Sequence, residues 1–409
     1  MNKANVALRG FPFPAHCAVA ISSDIDNASS VDSFKEIMNY FNTSSNTIFG
    51  NGLGLEVGNS FWFYTNSNKP QLSYFEGITT TKSKFAPIIR ELWKSGHIDT
   101  MHSWGNFDLG GFDRSLADAG LNELKKCSTK IPVWVNHGVG LNLQKLGNYP
   151  NMKGDDPSHD AYHLDLSVEA GCEYFWIGKT THIIGQNSQP SITNKLKLGL
   201  QWLIKRTKYY GTKDPIYDDG NELLFPIEFR DGRKMWEFIR FINAWGQEHI
   251  LDIHELTKQL HPSIIKRLIK NQGYMILYTH FNEHVDLGGL PQPLVKNLFY
   301  LQKHVVNGNI LMGTTSRILK YKEIRDYLSY KIVETDNEVK IKVQDFIETP
   351  IGVKKIKKNQ LMGVTFYCDT PEKTTILLGK TKLDFKINPK DETGRQSISI
   401  PWQNLVYPS

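Results

Sequence analysis

The side chains best suited to acid–base or metal chemistry stand at the ends of short apolar runs. Asp24 and Asp26 follow Cys17-Ala-Val-Ala-Ile-Ser, His102 closes His97-Ile-Asp-Thr-Met, and His137 follows Pro132-Val-Trp-Val-Asn136. His280 ends Gly273-Tyr-Met-Ile-Leu-Tyr-Thr. On an extended chain, residues two apart project from the same face. One aspartate could therefore hold a cation while the other stays free as a base. An Asx-type turn or a helix cap explains the same pair equally well. Imidazole is a good ligand for a divalent metal, although a lone histidine is usually satisfied by backbone groups. Several such groups at separate strand ends carry more weight than any one of them. Trp104 and Trp176 are candidate platforms for a sugar ring, with core packing the stronger expectation for Trp176.

These residues need strands to carry them and helices to space the strands. Apolar runs bounded by polar residues suit buried parallel strands with wet C-terminal ends. Helical spacing is expected over 31–41, 85–95 (with Gly96 as its C-cap), 116–126, 164–170, 235–244 and 264–270. Strand and helix thus alternate over about 300 residues, which predicts an α/β barrel or a doubly wound sheet. Both gather their chemistry at the C-terminal strand ends. After Tyr330 the pattern changes to period two, as in Glu338-Val-Lys-Ile-Lys-Val, and turns of Gly, Pro and Asn separate the runs. The expected division is a barrel over 1–325 and a small antiparallel, β-sandwich-like domain over 326–409.

Composition narrows the partners. The 409 residues include 48 Lys and Arg against 42 Asp and Glu, a formal charge of only +6 with the two signs interleaved, so a nucleic-acid partner is not expected. The tightest basic run, Lys354-Lys355-Ile356-Lys357-Lys358, reads as a solvated turn between strands. No run approaches the ~20 apolar residues needed to span a bilayer. The opening residues lack the apolar stretch of a secretory signal, so a cytoplasmic setting is expected. Four scattered cysteines offer neither a disulfide framework nor a zinc knuckle. The Gly-rich stretch at 49–58 lacks the Lys-Ser/Thr of a phosphate loop and reads as a turn beside a strand. His280 and His284 have H-x-x-x-H spacing without the Glu that a zincin places after its first histidine. His159 and His163, near Asp155 and Asp156, read as a solvated helix start.

The ordered set Ala-Ile-Ser-Ser-Asp24-Ile-Asp26, Ser-Gly96-His97-Ile-Asp-Thr-Met-His102-Ser103 and the apolar strand ending in His280 resembles the polysaccharide (NodB-type) deacetylases. That family carries F-D-x-D/E, S-G-H-E-I-G-N-H-T/S-x-x-H and L-x-I/T-H motifs. The resemblance spans residues 17–280 and implies a distorted (β/α)7 barrel and a divalent metal, zinc by analogy. It implies Asp24 as general base, Asp26 and His102 as metal ligands and His280 as general acid. The third ligand position falls on Asn106, where the family has histidine; its harder oxygen admits other transition metals. A backbone N–H near His137 would steady the oxyanion, which places His137, with Trp104 and Trp176, on the substrate side. The family's orienting arginine has no visible counterpart. The activity implied is removal of an acetyl group from an N-acylated carbohydrate or another amide. A carbohydrate-binding protein that keeps the fold without turnover is the alternative. A glycosidase using both aspartates is weaker, because both would lie on one side of the scissile bond.

Overall fold

The computed structural model describes residues 6–408 except 27, 29, 70, 139–140, 189–195, 197–198, 201–202, 204–220, 243–252 and 283–288. Its centre is a curled, mostly parallel sheet. The strands are β1 (Cys17–Ser23), β2 (Gly58–Phe61), β3 (Ile98–His102), β4 (Val133–Val135), β5 (Tyr174–Trp176), β6 (Lys234–Phe238), β7 (Tyr274–Thr279) and β8 (Ile310–Met312). They are hydrogen-bonded in the order β6-β5-β4-β3-β2-β1-β7, and Leu224–Glu228 runs antiparallel outside β6. β1 is flanked by β7 from Ala18 to Ser23. Its other edge is shared, with β8 alongside Cys17–Val19 and β2 alongside Ser22 and Ser23.

Among the described residues no ladder joins β6 to β7. That gap is lined by the short parallel pair Thr180–Thr181 with Arg240–Phe241 and by a bridge between Gln186 and Tyr274. The sheet nevertheless curls strongly. Five strand spacings separate β6 from β1, roughly 24 Å in a flat sheet. Arg240, just past β6, lies 3.3 Å from Asp24, just past β1.

Alternation within the strands sorts two cores. Ala18, Ala20, Val133, Val135, Tyr174, Trp236, Phe238, Tyr274 and Ile276 fill the concave interior. Their neighbours Val19, Ile21, Met101, Trp134, Phe175, Met275 and Leu277 face outward to the helices. Small alanines on β1 make room inside for the large rings of β5 and β6, the interlocking that dense packing requires. The helices are α1 (Val31–Asn42), α2 (Ala86–Ser95), α3 (Arg114–Lys126), α4 (Leu164–Glu169), α5 (Ile253–Gln259), α6 (Pro262–Asn271), α7 (Gln292–Val306) and α8 (Thr315–Tyr327). Ser30 caps α1, and Gly96 ends α2 with φ 80°, a left-handed conformation that glycine adopts cheaply. No helix among the described residues is long and apolar enough to cross a membrane.

Two expectations are corrected. Met235–Phe238 and Arg240–Phe241 form strand, not helix, and the end of that expected helix, 243–244, lies outside the described residues. Trp236 and Phe238 point inward, while Met235 and the buried Glu237 share the outer side, so the run shows no exposed polar face to betray its period. The C-terminal unit is also not wholly antiparallel. Tyr330–Glu334, Val339–Val343, Thr374–Leu378 and Thr381–Leu383 form one sheet, in which Val339–Val343 pairs with Thr374–Leu378 in parallel. A second sheet joins Thr365–Tyr367, Ser397–Ser399 and Lys386–Asn388 to the N-terminal strand Ala7–Leu8.

The two sheets share a core of Ile341, Ile376, Leu383, Phe366 and Ile398. α8 serves both units: Ile318, Leu319 and Tyr321 plug the base of the curled sheet, while Ile324 joins the C-terminal core. Lys354, from the run read as a solvated turn, reaches inward to the fully buried Glu323 at 2.7 Å. Tyr174 Oη (2.5 Å) and Trp236 Nε1 (2.8 Å) donate to the same carboxylate.

Candidate metal centre

The inward period-two pattern runs straight into the site. One more step along Ala18-Ala20-Ser22 is Asp24, along Val133-Val135 is His137, and along Trp236-Phe238 is Arg240. Tyr274-Ile276-Tyr278 leads likewise to His280, and Thr100 to His102. The curl brings these ends together at the C-terminal mouth of the sheet.

Asp26 sits at the middle of the cluster. Its Oδ1 lies 3.0 Å from His102 Nδ1, and its Oδ2 lies 3.2 Å from His137 Nδ1 and 3.8 Å from His280 Nε2. The two ligand-type imidazoles also meet each other, with His102 Nε2 3.2 Å from His137 Nδ1. Asp26, His102 and His137 thus offer one oxygen and two nitrogens within 4.8 Å of one another. Burial raises the Asp26 carboxyl, and the charge and hydrogen bonding of His102 and His137 more than reverse it, holding the group well below the usual carboxylate range. Trp62 walls the imidazole pair, its ring centroid 4.9 Å from His137 and 5.6 Å from His102.

Asp24 is held apart from this trio. Its backbone N–H donates to Thr279 O at 2.8 Å, which continues the β1–β7 ladder. Arg240 Nη1 donates to its Oδ2 at 3.3 Å, while Oδ1 is buried without a hydrogen-bond donor, 4.0 Å from His102 Nδ1. The guanidinium is clasped between the faces of Trp176 (4.4 Å) and Tyr278 (4.3 Å). Ser103 sets the spacing of β3 and β4. Its left-handed backbone (φ 56°) turns the chain after His102. Its hydroxyl donates to Val135 O at 3.1 Å and accepts from His137 N at 3.0 Å. Such a conformation is uncommon outside glycine and collects at functional turns.

The expected residues divide. Asp24, Asp26, His102 and His280 come together, and His137, expected on the substrate side, joins Asp26 and His102 as the third ligand-type group. Asn106 is tied to Gln71, whose Nε2 in turn donates to the Asp26 carbonyl. Its Nδ2 donates to Gln71 Oε1 at 3.0 Å and its Oδ1 accepts from Asp108 N at 3.0 Å, so the carboxamide is spent on loop structure. Trp104 is fully buried, 5.7 Å from the Phe63 ring, and offers no face to a ligand. Trp176 borders the site, but one face is covered by Arg240.

His163, expected at a solvated helix start, is instead fully buried in the core. It contacts Gln144 O at 2.7 Å and Ser167 Oγ at 2.9 Å, and burial pushes it down to about 4. His284 lies outside the described residues. Arg240 and Ser103 are the contributors missed as functional groups; the signal for Arg240 was the alternation Trp236-Phe238-Arg240.

Chemically, two imidazoles and a carboxylate converge here, the donor types that hold a divalent cation. The N,N,O donor set suits a transition metal such as zinc, whose catalytic sites take three protein ligands and keep a fourth position open. Asp26 is 21 % exposed, which leaves the centre open on its outer side. No family model matches the chain, and no curated protein matches its sequence.

Proposed function

We propose that the chain is a metal-dependent hydrolase that removes an acyl group from an N-acylated sugar or a related amide, built on a divergent (β/α)7-type barrel of the polysaccharide-deacetylase kind. The observation that carries this reading is the Asp26–His102–His137 cluster with a separately held carboxylate, Asp24, beside it. The order of these groups along the chain follows the motif order of the resemblance. His137 supplies from β4 the ligand that Asn106 was expected to give.

Asp26, His102 and His137 would hold the ion, which when bound polarises the acyl carbonyl and acidifies water. Asp24 then acts as the base. Arg240 pins its Oδ2, and Oδ1 is left to accept a proton from the attacking water. His280, on the far side of Asp26, delivers a proton to the departing nitrogen. His280 Nδ1 is buried without a partner, so position rather than an orienting hydrogen bond places this group. Trp176 and Tyr278 hold the Arg240 guanidinium by its faces and so fix the base.

Elemental analysis of the purified protein and of Asp26→Ala, paired with acetate release from N-acetylglucosamine oligomers, tests the proposal. Stoichiometric metal lost in Asp26→Ala, with acetate released by the parent only, is the expected result. Absence of bound divalent metal from the parent after zinc, manganese or cobalt addition removes the reading. Glycan binding without metal or turnover would favour the carbohydrate-binding alternative.

A further inference from the structure

The end of the curled sheet opposite the aspartate–histidine cluster holds a second polar cavity, of about 510 Å³. Its charged walls come from the N-terminal loop with Arg9 and His16, Glu222 before β6, α8 with Lys322, Arg325 and Asp326, and the C-terminal unit with Glu392. Tyr274, at the entry to β7, marks it as the base of the sheet rather than its mouth.

The charges here are nearly balanced, but the hydrogen bonds are not. Every acid is engaged. Asp326 accepts from Lys322 and, at 3.2 Å, from Arg325 Nη1. Glu392 meets His16 at 3.2 Å, and Glu222 accepts from the Asn187 amide. Asp391, behind the wall, accepts from Tyr367 Oη at 2.8 Å and Thr393 N at 2.9 Å.

The guanidinium groups, in contrast, keep unused donors. Arg325 Nε, Arg9 Nε and both Nε and Nη2 of Arg395 are buried without a hydrogen-bond acceptor. Arg9 is only 5 % exposed, and its Nε reaches Asp391 no closer than 3.5 Å. Arg395 stands behind the wall, over the ring of the lining Tyr367 at 4.0 Å. Buried donors of charged groups are costly to leave unmade, and native folds leave few of them. Among the charged side chains at this junction the surplus is N–H of arginine, and the ligand that matches it brings acceptors and negative charge.

We propose that the cavity binds a small oxyanion, a molecule bearing phosphate or carboxylate, at the junction of the curled sheet, α8 and the C-terminal unit. The ligand would touch both units at once, so its binding ties one to the other. The site does not depend on the hydrolase reading, because it lies at the other end of the strands.

Isothermal titration of the full-length chain with inorganic phosphate and, separately, with citrate at constant ionic strength tests it and distinguishes the two oxyanion sources. Saturable one-to-one binding of either is expected, with Kd raised at least tenfold in Arg325→Gln and in Arg395→Gln. Arg325→Lys, which keeps the charge but loses the Nε donor, is expected to fall between the parent and Arg325→Gln and guards against a folding defect. Asp26→Ala should bind as the parent does, which keeps this result separate from the fate of the metal centre. Absence of saturable binding by both anions, unchanged affinity in folded Arg325→Gln and Arg395→Gln, or equal binding of uncharged glucose would each overturn the proposal.

Discussion

Arg240 donates to Asp24 at 3.3 Å from the far edge of the sheet, five strand spacings away along the ladder. Both side chains are almost wholly buried, at 1 % and 2 % exposure. The contact therefore couples the curl of the sheet to the state of a candidate base. Removing one partner of a buried pair strands the other charge and costs about 3–5 kcal/mol, whereas replacing both is far milder. Arg240→Met is thus expected to destabilise the chain by that amount in urea unfolding. Asp24→Asn/Arg240→Met should recover most of the loss without regaining hydrolysis. Equal stability of the single and double variants would show that the pair is not coupled.

The metal centre is predicted to depend on His137 and not on Asn106. His137→Ala removes one of the three donor atoms that lie within 4.8 Å of one another. Loss of a first ligand should lower zinc affinity by at least the 10–100-fold typical of outer-shell changes. Asn106→Ala only breaks loop hydrogen bonds to Gln71 and Asp108, so metal content should stay near the parent value. Metal-to-protein ratios after dialysis against a weak chelator check both. The reverse ranking would return the third ligand to Asn106.

The sequence made the strand ends legible because burial leaves a plain mark there, an apolar run that stops at an aspartate or a histidine. Asp24, Asp26, His102 and His280 were found in this way. His137 was seen, but its partner was not, since the turn that carries it to His102 depends on the Ser103 hydroxyl and a left-handed backbone. Arg240 was missed because β6 is buried on both faces, Glu237 included, and shows a helical period as readily as a strand one. Asn106 fits the ligand spacing of the family motif, yet spacing along the chain does not fix where a loop turns. The participation of Ala7–Leu8 in a sheet with Thr365–Tyr367 is a contact across most of the chain, and no local pattern reports it.

Acid should destabilise the chain through buried neutral histidines. Burial pushes His163 down to about 4; burial, with the nearby Arg317 charge, does the same for His97. An unfolded imidazole takes its proton near 6.5. Between pH 6.5 and 4 the unfolded state therefore binds more protons, and stability rises with pH across that window. Their contribution is complete above pH 6.5 and is lost as pH falls through 4, at about 1.4 kcal/mol per pH unit for each group. Unfolding free energies measured from pH 4.5 to 6.5 should show this slope, and His163→Gln should reduce it by about one proton. An unchanged slope would mean that His163 already carries its charge in the fold.

The last residues of the chain brace the base of β3, and their removal should weaken the fold while sparing the metal centre. Leu405 N donates to Glu56 Oε2 at 3.0 Å, and Arg317 bonds both Glu56 and the Gln403 carbonyl. Arg317 lies 4.2 Å from the Trp402 ring centroid, and the Tyr407 ring meets His97 at 4.9 Å. Leu405 also lies over Gly96, where an added Cβ would come within 3.2 Å of its Cδ1. Deleting residues 404–409 uncovers His97 and leaves one Glu56 oxygen without its backbone donor. At ~25 cal/mol per Å² of apolar surface, loss of the Leu405 and Tyr407 contacts is expected to cost about 2 kcal/mol in urea unfolding. Gly96→Ala should reproduce part of that loss, since it combines the contact with Leu405 and a left-handed backbone at φ 80°. Metal content should not change in either variant, because His102 hangs from the opposite end of β3. A metal centre lost together with the tail would instead make these residues part of what holds the site.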